Sequence, residues 1–115
     1  MARNHYYLSI ADLAHAHGPQ PELAWDGVSP DALATTLQQD LREDGLFERW
    51  RALQPDPDAV DDSLALVDPS AQVRAQVRDL HTEVEVVTDL PMRVLRHRLD
   101  LLIGKTWELR DMRAA

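Results

Sequence analysis

The chain has no cysteine, which excludes disulfides, thiolate metal sites and cysteine nucleophiles together. Its four glycines would scarcely supply a phosphate-cradling loop, and neither a P-loop nor a dinucleotide-binding fingerprint occurs. No apolar run approaches the roughly 20 residues of a membrane span. The opening "MARNHYYLSI" lacks the apolar core of a secretory signal. A cytoplasmic location without a membrane partner is the expectation. Positive charge is also scarce: twelve Lys and Arg face twenty Asp and Glu, a formal net charge of −8. Such a field repels a phosphate backbone, so nucleic acid is not an expected partner. The deficit is uneven. Residues 1–88 carry a net charge of −10 and residues 89–115 a net charge of +2.

What is present fits one globular domain over residues 1–115. The length is that of a single core, and 44% hydrophobic with 28% charged residues is ordinary for a folded chain. "HGPQPE" near residue 17 and "QPDPDAVDD" near residue 54 read as surface connections, because proline breaks regular structure and carboxylates prefer water.

Helices are marked by their ends. In "VSPDALATTLQQDLREDG", Ser29 suits the N-cap, Pro30 the first turn and Asp31 the positive end of the dipole. Leu33, Ala34, Leu37 and Leu41 make an apolar stripe, and Gly45 falls where a left-handed closing residue is wanted. "LFERWRALQ" reads as a second, short helix with Leu46, Phe47, Trp50 and Leu53 inward. A later helix is expected in "DLPMRVLRHRLDLLIG", with Asp89 capping, Gly104 closing, and Met92, Leu95, Leu99 and Leu102 inward.

Strands are marked by alternation. "AQVRAQVR" and "TEVEVV" fold as a hairpin around residues 79–82, pairing Val77 with Val84, Ala75 with Val86 and Arg78 with Glu83. A helix over residues 69–80 competes, but the hairpin accounts for the charges as well as the apolar positions. "HYYLSI" and "KTWELRDM" supply first and last strands, while "PELAW" is open to either an extra strand or an ordered loop. The order strand–helix–strand–strand–helix–strand predicts an α+β fold of the ferredoxin-like, split β-α-β kind. It is an open four-stranded antiparallel sheet with two main helices on one face. Tyr6, Leu8, Ile10, Val73, Ala75, Val77, Val84, Val86, Trp107 and Leu109 are then expected to face the helices. Tyr7, Ser9, Gln72, Arg74, Gln76, Arg78, Glu83, Glu85, Val87, Thr106, Glu108 and Arg110 are expected to face solvent.

Candidate chemistry is sparse. His15-Ala16-His17 could present two rings to one metal from a strand, but no third ligand follows by spacing. Asp56, Asp58, Asp61 and Asp62 resemble the start of a calcium loop, but its later positions fall on Val60, Asp61 and Val67, which do not fit. Nothing marks a serine nucleophile. The outward Glu83 and Glu85 exclude base stacking on the sheet. No catalytic residue, metal or cofactor is therefore expected. Arg98 is the anomaly, since it lies within the apolar arc of its helix between Val94 and Leu102. Either it pairs with a neighbouring carboxylate such as Asp40, or Val94, Arg98 and Leu101 form an interface.

The expected function is a non-enzymatic protein–protein interaction or assembly module, meeting a basic protein or a second copy through a strand edge or the Val94–Leu101 flank. The alternative is a small-molecule-binding domain or minor enzyme with its pocket between sheet and helices, where Trp107, His81 and His97 would be the polar-aromatic residues.

Overall fold

The computed structural model describes residues 3–115. Strands β1 (Asn4–Ile10), β2 (Gln72–Arg78), β3 (His81–Thr88) and β4 (Trp107–Ala114) form one open antiparallel sheet in the order β2-β3-β1-β4. Helices α1 (Pro30–Arg42) and α2 (Gly45–Ala52) come between β1 and β2, and α3 (Met92–Ile103) comes between β3 and β4. The fold is α+β. Side chains alternate across a pleated strand, and one face of the sheet is apolar for that reason. Its Tyr6, Leu8, Ile10, Val73, Val84 and Val86 share a buried cluster with Leu33, Leu37 and Leu41 of α1 and Leu95, Leu99 and Leu102 of α3.

α1 starts where its sequence says it should. The Ala32 N–H donates to Ser29 Oγ at 3.1 Å, with Pro30 in the first turn. Its end differs from expectation: the chain leaves α1 through an extended Glu43, and Gly45 has no positive φ but opens α2. Of the α2 residues, Leu46 and Phe47 are buried and Trp50 packs at the margin, while Leu53, one step past the helix, is exposed. α3 closes on Gly104 at φ +67°, but Asp89 does not cap it. The Asp89 N–H is instead donated to the Asp68 carboxylate at 3.3 Å.

"PELAW" forms an ordered loop laid against the end of α3. The N–H groups of Gly18 and Trp25 both donate to the Leu102 carbonyl, at 3.0 and 2.9 Å, and Leu23 and Trp25 are buried. A Cβ at position 18 would collide with the Leu101 carbonyl, so the close approach requires glycine there.

Residues 72–78 are a strand, which removes the helix over 69–80. The hairpin register is Arg78 opposite His81, Val77 opposite Thr82, Ala75 opposite Val84 and Val73 opposite Val86. This is two residues tighter than the pairing expected from charge. Asp79 and Leu80 alone make the turn, at φ +51° and +72°, the type I′ geometry that matches strand twist. Because the side-chain period is two, a slip of two residues leaves every side chain on its expected face. Arg78 and Glu83 still meet, diagonally, at 3.6 Å.

Asp68 is 3% exposed and holds three segments together. Its Oδ2 accepts from Arg3 Nη2 at 2.9 Å, Thr88 Oγ1 at 2.8 Å and the Asp89 N–H, while Oδ1 accepts from the Ser70 N–H at 3.0 Å. Burial alone would raise its pKa; the donors from Thr88, Ser70, Arg3 and Asp89 overcome that and hold it below the usual value.

Candidate functional site

The three α3 residues expected at an interface lie inside the chain. Val94 and Arg98 have no exposed surface and Leu101 only 7%. The reason is long-range: the 62–66 segment crosses this flank, and Arg98 Nη2 donates to the Leu64 and Leu66 carbonyls at 3.0 and 3.1 Å. Arg98 is thus bonded to backbone rather than to Asp40, which acts on it only through its charge, together with Asp44. As the chain is folded, this flank offers no area to a partner.

Trp107, His81 and His97 are tied to different surroundings. Trp107 Nε1 donates to Asp100 Oδ1 at 3.0 Å. His97 sits edge-on to Trp50 at 4.4 Å, and neither ring nitrogen has a hydrogen-bond partner among the described residues. Burial first, and then the Arg98 charge, depress its pKa against the opposing pull of Asp100. His81 lies on the open side of the sheet, 3.6 Å from Glu83. The 15–17 histidines also part company: His15 bonds Asp12 at 2.7 Å, while His17 Nδ1 bonds the Trp25 carbonyl at 2.8 Å. No group of three or more potential metal ligands gathers among the described residues.

The open face of the sheet is a lattice of charge. Glu85 contacts both His5, at 3.0 Å, and Arg74, at 3.4 Å; the Arg113 guanidinium lies 5.2 Å from the Tyr7 ring centre, and Tyr7 stacks on His5. Stripping water from such a face costs several kcal/mol per unpaired ion.

β4 differs from that face. It is an edge strand, paired with β1 on one side only. Opposite Tyr6, Leu8 and Ile10, which are buried, it sets Met112, Leu109 and Trp107. Trp107 packs at the core margin, but Leu109 and Met112 are 43% and 51% exposed, because the helical layer stops short of them. Leu109 and Val77 were both expected under the helices; Val77, near the hairpin tip, is exposed for the same reason. The pairing with β1 slips between Tyr7 and Leu8, leaving Arg110 as an extra residue. This β-bulge keeps Leu109 and Met112 on the same face although they are three positions apart. The charges of β4 alternate and pair along the strand, Glu108 with Arg110 at 3.1 Å and Asp111 with Arg113 at 2.9 Å. Plain alternation predicts Trp107 and Leu109 inward but does not reach Met112, because it cannot carry the face across a bulge.

None of the described helices is long and apolar enough to cross a membrane. Comparison with protein-family models, with curated proteins and with solved structures returned no match.

Proposed function

We propose that the chain is a non-enzymatic protein–protein interaction or assembly module, working in the cytoplasm on a ferredoxin-like, split β-α-β scaffold. The topology is supported by two interleaved strand–helix–strand units, with β1 and β3 central and β2 and β4 at the edges. The observation that carries the function is the half-exposed Leu109 and Met112 beside the unpaired edge of β4. An exposed strand edge offers main-chain donors and acceptors to an added strand, and flanking apolar side chains supply the burial that holds it. The partner class is protein: a basic chain drawn by the −8 charge, or a second copy. Association should therefore slow as salt rises when the partner is basic. Replacing Leu109 and Met112 together by Asp tests the reading. Cross-linked complexes formed by the wild-type chain should disappear while the chain still unfolds cooperatively, since both residues are about half exposed and the buried cluster does not include them. Complexes that persist unchanged would remove β4 as the contact surface.

A small-molecule role would use an open groove: one of about 500 Å3 between α1 and β2, whose walls include Asp31, Gln38, Arg74 and Glu85, or one of about 460 Å3 on the open side of the sheet, whose walls include His81, Glu83 and Arg110. Neither contains Trp107 or His97. A compound that raises the melting temperature and loses that effect in Gln38→Leu would favour this role.

A further inference from the structure

We infer that the open edge of β4 is a self-complementary dimer interface, in which a second copy of this chain pairs antiparallel with Arg110 opposite Asp111 across the two-fold axis. This rests on the reading of the chain as an interaction module and names its partner. The strand reads Trp107, Glu108, Leu109, Arg110, Asp111, Met112, Arg113, Ala114. Folded back on itself about the bond between residues 110 and 111, every position meets a suitable one. Glu108 faces Arg113 of the second copy, Arg110 faces Asp111, Leu109 faces Met112, and Trp107 faces Ala114. Each pairing occurs twice by symmetry, as a closed two-fold interface requires. A slip of one residue in either direction sets Arg110 against its own copy or Asp111 against its own copy, and like charges directly opposite are destabilising.

The bulge is what allows this register. Two antiparallel strands related by a two-fold axis perpendicular to their sheet must oppose side chains on the same face. In a regular strand residues 110 and 111 point to opposite faces, so an axis between them is forbidden. In β4 the register with β1 advances Leu8 to Tyr6 while β4 advances from Leu109 to Met112. Leu109, Met112, Trp107 and Ala114 all lie opposite residues of the helix side; Glu108, Asp111 and Arg113 lie opposite Ser9, Tyr7 and His5 of the open side. The surplus Arg110 restores the match of faces in the two halves of the strand. The apolar pairs then gather on the helix side, and the charged pairs on the open side.

Charge elsewhere favours the same edge. Two copies at −8 each repel, but residues 89–115 carry a net charge of +2 and the four charges of β4 cancel. The edge therefore adds no net charge of its own to the repulsion between two acidic chains. Charges and a bulge on an edge strand ordinarily block pairing; here their order admits one partner, this strand itself, and excludes its slipped registers. The product is an eight-stranded sheet with all helices on one side.

Sedimentation equilibrium of the full chain across micromolar to millimolar concentrations tests the inference. The wild type should show a monomer–dimer equilibrium. Arg110→Asp should raise the dissociation constant at least tenfold, and the exchanged double variant Arg110→Asp/Asp111→Arg should restore it to within about threefold. Amide exchange along residues 108–113 should slow on dimerisation in the wild type and in the exchanged variant only. A chain that stays monomeric up to 1 mM, or a dimer indifferent to Arg110→Asp, overturns the inference. If a monomeric wild type still forms complexes with another protein that the Leu109→Asp/Met112→Asp chain loses, the interaction-module reading stands and only self-pairing falls. If no association of any kind is found, both fall.

Discussion

Replacing Asp68 by Asn changes one atom at the junction of β2, β3 and the Arg3 end of the chain. The amide can keep its oxygen where Oδ2 accepts from Arg3, Thr88 and Asp89, but its NH2 group must then face the Ser70 N–H, donor against donor. One bond is lost outright, those from Thr88 and Asp89 fall from charge-assisted to neutral strength, from about 1.5–3 to about 0.5–1.5 kcal/mol each, and the contact with Arg3 ceases to be an ion pair. Relief from burying a charge offsets part of this. The expected net loss is about 2–3 kcal/mol, or roughly 10 °C in melting temperature for a domain of this size. Urea unfolding at pH 7 measures it, and the pH dependence supplies a second check. The folded-state pKa of Asp68 lies below its unfolded value of 3.8. Its contribution is therefore complete above pH 3.8 and is lost as pH falls through the folded-state value. In Asp68→Asn that contribution is gone at every pH, so the two stability curves should converge in acid. A loss under 0.5 kcal/mol at neutral pH, or curves that stay parallel into acid, would refute the reasoning.

Three further outcomes are expected. Leu80 occupies a left-handed conformation at φ +72° and is 96% exposed. Leu80→Gly should relieve about 1–2 kcal/mol of strain, less the entropy of a freer unfolded chain, for a net gain of roughly 0.5–1 kcal/mol in denaturant unfolding; a loss would mean that Leu80 makes contacts. Arg98 leaves Nε and Nη1 without partners among the described residues, so Arg98→Met should cost under about 2 kcal/mol where Arg98→Ala costs about 3–5 kcal/mol. Equal costs would show that charge, not volume, is what the site needs. The Asp40 carboxyl, already raised by burial and held back by Arg49 and Arg98, should titrate higher still in Arg98→Met when followed by NMR.

Much of the candidate site escapes the sequence because it depends on where layers end. Val77 and Leu109 alternate correctly with their neighbours, yet burial needs a helix overhead, and helix reach is set by packing far along the chain. Arg98 reads as misplaced on its helix until the 62–66 segment, more than thirty residues earlier, brings two carbonyls to it. Asp68 carries no local mark at all. Its donors come from residues 3, 70, 88 and 89, and only the assembled sheet brings them together.

Residues close along the chain encode the elements that short-range physics controls. The Ser29–Pro30 start of α1, the stripes of α1 and α3, the glycine end of α3 and the apolar face of β1, β2 and β3 are all written in residues a turn or two apart. Tertiary structure decided what a period cannot. Alternation of period two is blind to a slip of two residues, so the tight Asp79–Leu80 turn chose the hairpin register. Likewise the extra residue in β4 is visible only against β1, since a bulge is a mismatch between two strands and belongs to neither alone.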